Sequence, residues 1–157
     1  MTQMIPTTFL ESAYDWDGAG IDIWKSFPDA FASTANYLTS IDKNEWSSDS
    51  TWGREVLAPK NIANFYDDLK QLNPKGCGAV KSRSISKKLS EWSKLGFKKI
   101  DGSSLPIRDD LEARLIAPDG IEGRIFIVYP NYKNILYYNC SSYYAISVGL
   151  LSDKINN

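Results

Sequence analysis

The spacing of apolar residues changes character along this chain, and that change restricts the fold more than any other feature. Phe31, Ala35, Leu38 and Ile41 recur at intervals of three and four, as do Ile62, Phe65, Leu69 and Leu72, and then Ile85, Leu89, Trp92 and Leu95. That is the period of a helix with one apolar stripe. Ala113–Ala117 and Arg124–Tyr129 instead read as β-strands joined by a turn at Asp119-Gly120. Ile135–Tyr138 reads as a third strand or the start of a return segment. Ser142–Ile155 is expected to be a last helix, with Tyr144, Val148 and Leu151 on one stripe. The order helix, helices, strands, helix predicts an α+β protein with a small β-containing lobe between helical segments.

Local signals sharpen the boundaries. Pro28-Asp29 opens the first predicted helix: proline suits the first turn, and an acidic side chain complements its positive end. Asn73-Pro74-Lys75-Gly76 stops the second. Ser84 is the expected N-cap of the third and Gly96 its expected C′ residue. Phe9 to Trp24 reads as a loop rich in Asp and Gly, and Asn44 to Trp52 as a polar connection.

The 157 residues suffice for one domain with a core or two small lobes. A net charge of −1 offers no basic field, so no nucleic-acid partner is expected. The longest apolar runs are far too short to span a membrane, and no transmembrane or signal segment is read in the chain. There is no His, which removes Ser-His-Asp and Cys-His catalysis and His-based zinc sites from consideration within this chain. Acid–base work falls to Asp, Glu, Lys, Tyr or Cys. Cys77 and Cys140 make no CxxC motif, and two free buried thiols are favoured over a disulfide, which an oxidising compartment would allow.

Three groupings carry chemistry. Asp15-Trp-Asp17-Gly-Ala19-Gly20-Ile-Asp22 offers carboxylates at alternate positions with glycine at the sixth, as a calcium loop does. Ala19, however, stands where position five supplies an oxygen, and Ser26 stands at position twelve. As an ordinary calcium loop the match is weak, and a tight turn held by Asp side chains is the competing reading. Among the glutamates, Glu11 lies in Glu-Ser-Ala-Tyr, a faint echo of a catalytic Glu-Ser-x-Phe-Gly segment. Glu91 and Glu112 sit in polar contexts, and no carboxylate pair suggests a two-carboxylate glycosidase. Finally, Tyr137-Tyr138-Asn139-Cys140-Ser141-Ser142-Tyr143-Tyr144 gathers four Tyr and an Asn. Tyr supplies a stacking face and a hydroxyl, and Asn a donor and an acceptor, which suits a saccharide groove. A junction buried by its own Tyr rings is the competing reading.

Taken in order, these pieces resemble the lytic murein transglycosylase B family. Thr2-Gln3-Met4-Ile5-Pro6-Thr7-Thr8-Phe9 resembles its Gln-Phe-Met-Pro-Ser-Ser/Thr-Tyr stretch, with Ile5 in place of the usual Met. The run Asp15 to Trp24 resembles its Asp-Gly-rich loop, and Asp29 to Leu38 the helix that follows. Glu91-Trp92-Ser-Lys-Leu95-Gly96, Pro118-Asp-Gly120-Ile-Glu-Gly123, Val128-Tyr129-Pro130-Asn131-Tyr132, Tyr138-Asn139-Cys-Ser141 and Tyr144-Ala145-Ile-Ser-Val148-Gly149-Leu150-Leu-Ser-Asp153 complete the series.

The resemblance implies a lysozyme-like helical core, built partly from residues 1–42 and 132–157, with an inserted α/β lobe over 43–131. It implies peptidoglycan glycan strands as the partner and a periplasmic or cell-envelope setting. It also implies cleavage of the bond between N-acetylmuramic acid and N-acetylglucosamine. One Glu protonates the leaving oxygen, then serves as base on the muramoyl C6 hydroxyl, which closes onto C1 as a 1,6-anhydro ring. In the family that Glu lies upstream of the Gln-x-x-Pro segment, so no residue of this chain is expected to be catalytic. By the same resemblance Gln3, Tyr37, Tyr138, Asn139 and Tyr144 line the substrate groove. Asp15, Asp17 and Asp29 are the candidate ligands of a degenerate calcium loop, and no other cofactor is expected. A non-catalytic peptidoglycan-binding remnant is the alternative reading.

Overall fold

The computed structural model describes residues 4–40, 46–66 and 77–155. The chain forms two compact units, Met1–Trp46 and Ser47–Asn157.

The first unit holds α1 (Pro6–Ser12) and α2 (Phe27–Ser40). Pro6 at the first turn of α1 suits a position whose amide has no helical partner. This helix shortens the expected Phe9–Trp24 loop, which begins only after Ser12. In α2 the structure corrects the expected stripe. Phe31 and Ala35 are exposed, while Asp29, Ala30 and Ser33 are buried. Ile41 lies outside the described residues.

The second unit is built on a five-stranded antiparallel sheet, in the order β2-β4-β5-β1-β3. The strands are β1 (Gly53–Leu57), β2 (Lys87–Lys88), β3 (Lys98–Lys99), β4 (Glu112–Ile116) and β5 (Ile125–Val128). The predicted β4–β5 hairpin is present, with Arg114 opposite Val128 and Ile116 opposite Phe126. Gly120 takes the positive φ that its turn requires. Both edge strands are two-residue Lys-Lys segments, which end the sheet with charge and blunt further pairing.

Alternation along β4 and β5 feeds two cores. Ala113, Leu115, Ile125 and Ile127 face one side, where Leu89, Trp92 and Phe97 cover them. Ile116, Phe126 and Val128 face the other, against Trp52, Tyr132, Leu136, Ala145 and Ile146. Trp92 and Phe97 meet edge to face with centroids 5.4 Å apart, and the Trp92 indole donates to the Ala113 carbonyl at 3.0 Å.

The helices of this unit are α3 (Ala63–Tyr66), α4 (Gly78–Lys81), α5 (Leu89–Lys94), α6 (Pro130–Tyr138) and α7 (Ser142–Ile155). The expected continuation of α3 through Leu69, Leu72 and the Asn73–Gly76 stop lies outside the described residues. Helix α5 starts later than predicted. Lys88, not Ser84, is its N-cap, and Glu91 returns to accept the Lys88 amide at 2.8 Å. The Ser84 hydroxyl instead bridges to β4, accepting the Leu115 amide at 2.8 Å. Its C-terminus behaves as expected. Gly96 has φ +98, and the Gly96 and Phe97 amides close back on Ser93 and Trp92.

Ile135–Tyr138 is neither a strand nor a return segment but the end of α6. Pro130 opens that helix, and it buries Asn131, Tyr132, Asn134, Ile135 and Leu136. Asn131 ties down the preceding connection, donating to the carbonyls of Ser47 and Ser50 and accepting the Ser47 amide. The buried stripe of α7 is Ala145, Ile146 and Gly149, whereas Leu151 is exposed. Gly149 lies flat under the Trp52 indole, where a methyl group would collide with the ring. One turn later Asp153 accepts the Trp52 indole N–H at 3.0 Å.

Cys77 and Cys140 form a disulfide, contrary to the expectation of two free thiols. The residues pair because α4 packs beside α6, although 63 positions separate the two cysteines in sequence. Closing a loop of that length is worth about 4 kcal/mol on the chain-entropy account.

Candidate functional site

In the second unit the candidate side chains cluster at the junction of α6 and α7. The Tyr138 and Tyr144 rings stack with centroids 6.0 Å apart and planes 14° from parallel. Each is half-buried. Between them in sequence, Asn139 is exposed in an extended conformation that ends α6. Ser141 restarts the helix: its hydroxyl accepts the Tyr144 amide at 3.3 Å and its carbonyl accepts the Ala145 amide at 3.0 Å.

Two phenols here are displaced upward from their ordinary value. Burial, then the neighbouring Tyr138, pushes the Tyr144 hydroxyl above its ordinary 10.0. Tyr143 is also pushed up, chiefly because it donates to the Asp119 carboxylate at 2.7 Å. That bond joins α7 to the β4–β5 turn. Asp119 had been read only as a turn residue, and its spacing of 24 positions from Tyr143 carries no sequence signal.

In the first unit the 13–26 loop is stitched to α2. The Asp29 carboxylate accepts the Trp16 amide at 2.9 Å and the Asp22 amide at 3.0 Å. These backbone bonds hold its pKa below the usual 3.8. Ser33 accepts the Tyr14 amide, and Asn36 donates to the Ser12 carbonyl. Asp15 accepts from both Gly18 and Gly20.

Asp15, Asp17 and Asp29 come together, with one oxygen from each within 4.8 Å of the others. The three carboxylates fit a divalent cation only in part. Calcium wants six to eight oxygens, Ala19 supplies no side-chain oxygen, and the oxygens of Asp15 and Asp29 are already engaged by backbone amides.

Tyr37 is half-buried on α2, and Gln3 lies outside the described residues. Glu11 and Glu112 are exposed, and Glu91 serves as a helix cap. Among the described residues the carboxyls displaced from their ordinary values are Asp29, Glu55, Asp101 and Asp110, all downward, because each accepts hydrogen bonds. A general acid for glycoside cleavage needs the opposite displacement. No helix among the described residues is long and apolar enough to cross a membrane.

The family model described as the transglycosylase SLT domain matches residues 1–153. Among solved structures, SltB3 from Pseudomonas aeruginosa in complex with NAG-NAM-pentapeptide is 38% identical with a TM-score of 0.79, covering 99% of this chain and 37% of that one. SltB3 in complex with NAG-anhNAM-pentapeptide is 40% identical with a TM-score of 0.77, covering 99% of this chain and 37% of that one. The Escherichia coli lytic transglycosylase SLT35, in complex with calcium, is 23% identical with a TM-score of 0.61, covering 96% of this chain and 41% of that one. The α+β architecture is shared with these structures, and the chain spans well under half the length of each. No curated protein sequence matches it significantly.

Proposed function

Because the chain belongs to the transglycosylase SLT domain family, we propose that it forms the glycan-binding part of a peptidoglycan lytic transglycosylase. The bond at issue joins N-acetylmuramic acid to N-acetylglucosamine, and the complete enzyme leaves a 1,6-anhydromuramoyl end. The observation that carries this reading within the chain is the stacked Tyr138–Tyr144 pair beside exposed Asn139. Half-buried phenols offer stacking area and hydroxyls to a sugar, and Asn139 offers a donor and an acceptor to an N-acetyl or hydroxyl group. Tyr37 and Gln3 are proposed as further substrate contacts.

No carboxyl of this chain is proposed as the general acid and base. The displaced carboxyls here are stabilised as anions, the wrong state for protonating a leaving oxygen. The Asp15–Asp17–Asp29 cluster would hold calcium weakly, and no step of glycan recognition depends on it. A cell-envelope setting on the periplasmic side agrees with the disulfide, which persists in oxidising compartments.

Purified sacculi provide the test. The chain is expected to co-sediment with them and to release no 1,6-anhydromuropeptides. Failure to sediment would refute glycan binding, and release of anhydro products would refute the reading of this chain as binding without cleaving.

A further inference from the structure

Cys140 sits in the three-residue link between α6 and α7, with Asn139 before it and Ser141 after it. The link is fastened locally by short-range hydrogen bonds: Asn139 amide to Ile135 carbonyl at 3.1 Å, Ser141 amide to Asn139 carbonyl at 2.7 Å, and Ala145 amide to Ser141 carbonyl at 3.0 Å. All of these join residues at most four positions apart and shape the link locally, while the Tyr143–Asp119 bond ties the start of α7 to the β4–β5 turn. The disulfide adds a covalent tie from within the link itself. Its other end, Cys77, is half-buried and packs with Ala79 and Val80 against the core cluster of Trp52, Phe126 and Leu136. An exposed end that carries the polar contact residue is thus bonded to an anchored end that belongs to the core.

We propose that Cys77 and Cys140 are positioning residues for glycan recognition: their disulfide holds Asn139 and the Tyr138–Tyr144 pair in the arrangement a sugar meets. The proposal rests on the reading of this cluster as a glycan surface. A chain whose link is held in one backbone state spares the ligand the cost of ordering it on binding. Exposure of Cys140 leaves the bond open to a dithiol reductant. In that exchange a reductant thiolate attacks one sulfur, the S–S bond breaks, and a second thiolate of the reductant resolves the mixed disulfide. Two electrons and two protons pass to the protein, which ends with two thiols, while the dithiol becomes a cyclic disulfide.

The test compares the oxidised chain, the chain reduced with dithiothreitol, and the reduced chain reoxidised. Binding of NAG-NAM-pentapeptide is followed by calorimetry and amide exchange by NMR. Reduction is expected to speed exchange at Asn139, Ser141 and Ala145 more than in the β4–β5 ladder, and to weaken binding about tenfold, the order of freezing one residue's backbone. Reoxidation restores both. Cys77→Ser with Cys140→Ser reproduces the reduced state without reductant. Val56→Ala, which thins the core on the other sheet face, lowers the melting temperature and leaves affinity intact. Equal affinity in oxidised and reduced chains overturns the positioning role alone. Loss of folding on reduction, or faster exchange spread evenly over the sheet, also overturns it, because the bond is then only a staple. An oxidised chain that does not bind the fragment brings down the glycan reading and this proposal together.

Discussion

Asp29 in the first unit and Trp92 in the second are both almost fully buried, at 1% and 0% exposure, yet they hold their surroundings by opposite means. Asp29 is a carboxylate that accepts from the Trp16 and Asp22 amides, and it organises a loop that leaves Tyr14, Trp16, Ile21 and Trp24 exposed. Trp92 is an indole closed in by Leu89, Phe97, Ala113 and Leu115, with one hydrogen bond to satisfy its N–H. The loop therefore depends on charge and on the pH that sets it. The sheet depends on apolar area and close packing. Polar scaffolds of the first kind suit exposed loops, whereas the second kind sets a rigid base for the α6–α7 junction.

The largest expected effect comes from emptying the core around Trp92. Trp92→Ala should cost roughly 3–5 kcal/mol in denaturant unfolding of the sheet-containing unit, as large-to-small changes at buried aromatics do. A loss below about 1 kcal/mol, the size expected at a surface position, would break the comparison.

The loop should respond to acid where the sheet's apolar core does not. The folded pKa of Asp29 lies below 3.8, so its contribution is fully present above 3.8 and is lost as pH falls through the lower, folded value. In an NMR titration the Trp16 and Asp22 amides should shift together with a midpoint below 3.8. Asp29→Asn should abolish that shared transition. A midpoint above 3.8, or amides that do not titrate, would contradict the role given to this carboxylate.

A smaller effect is expected at the gap in the acidic loop. Wild-type chain should bind calcium weakly by calorimetry, and Ala19→Asp should tighten it by adding an oxygen at the missing position. Unchanged or weaker binding in the variant would show that the loop's carboxylates are committed to backbone amides.

Much of this architecture was legible from local chemistry. Pro28-Asp29 marked α2, Gly96 marked the end of α5, and Asp119-Gly120 with alternating flanks marked the β4–β5 hairpin. What escaped was decided by distant partners. Lys87-Lys88 and Lys98-Lys99 are strands only because β4 and β1 present edges to them. Ile135–Tyr138 has strand-like residues, but Pro130 starts a helix whose buried face includes Asn131 and Asn134, which no apolar count would place inside. Ser84 looked like a cap and serves as a bridge to Leu115. The disulfide joins residues 63 positions apart, beyond any local signal. At the candidate sites, the acidic trio and the Tyr138–Tyr144 pair were anticipated as groups, while the Tyr143–Asp119 bond was not.

The most direct test of glycan recognition at the α6–α7 junction is the affinity of Asn139→Ala for NAG-NAM-pentapeptide, measured beside its melting curve. Asn139 is exposed, so stability should change by no more than about 0.5 kcal/mol while binding weakens clearly. An Asn139→Ala chain that melts as the wild type and binds the fragment equally well would contradict the account.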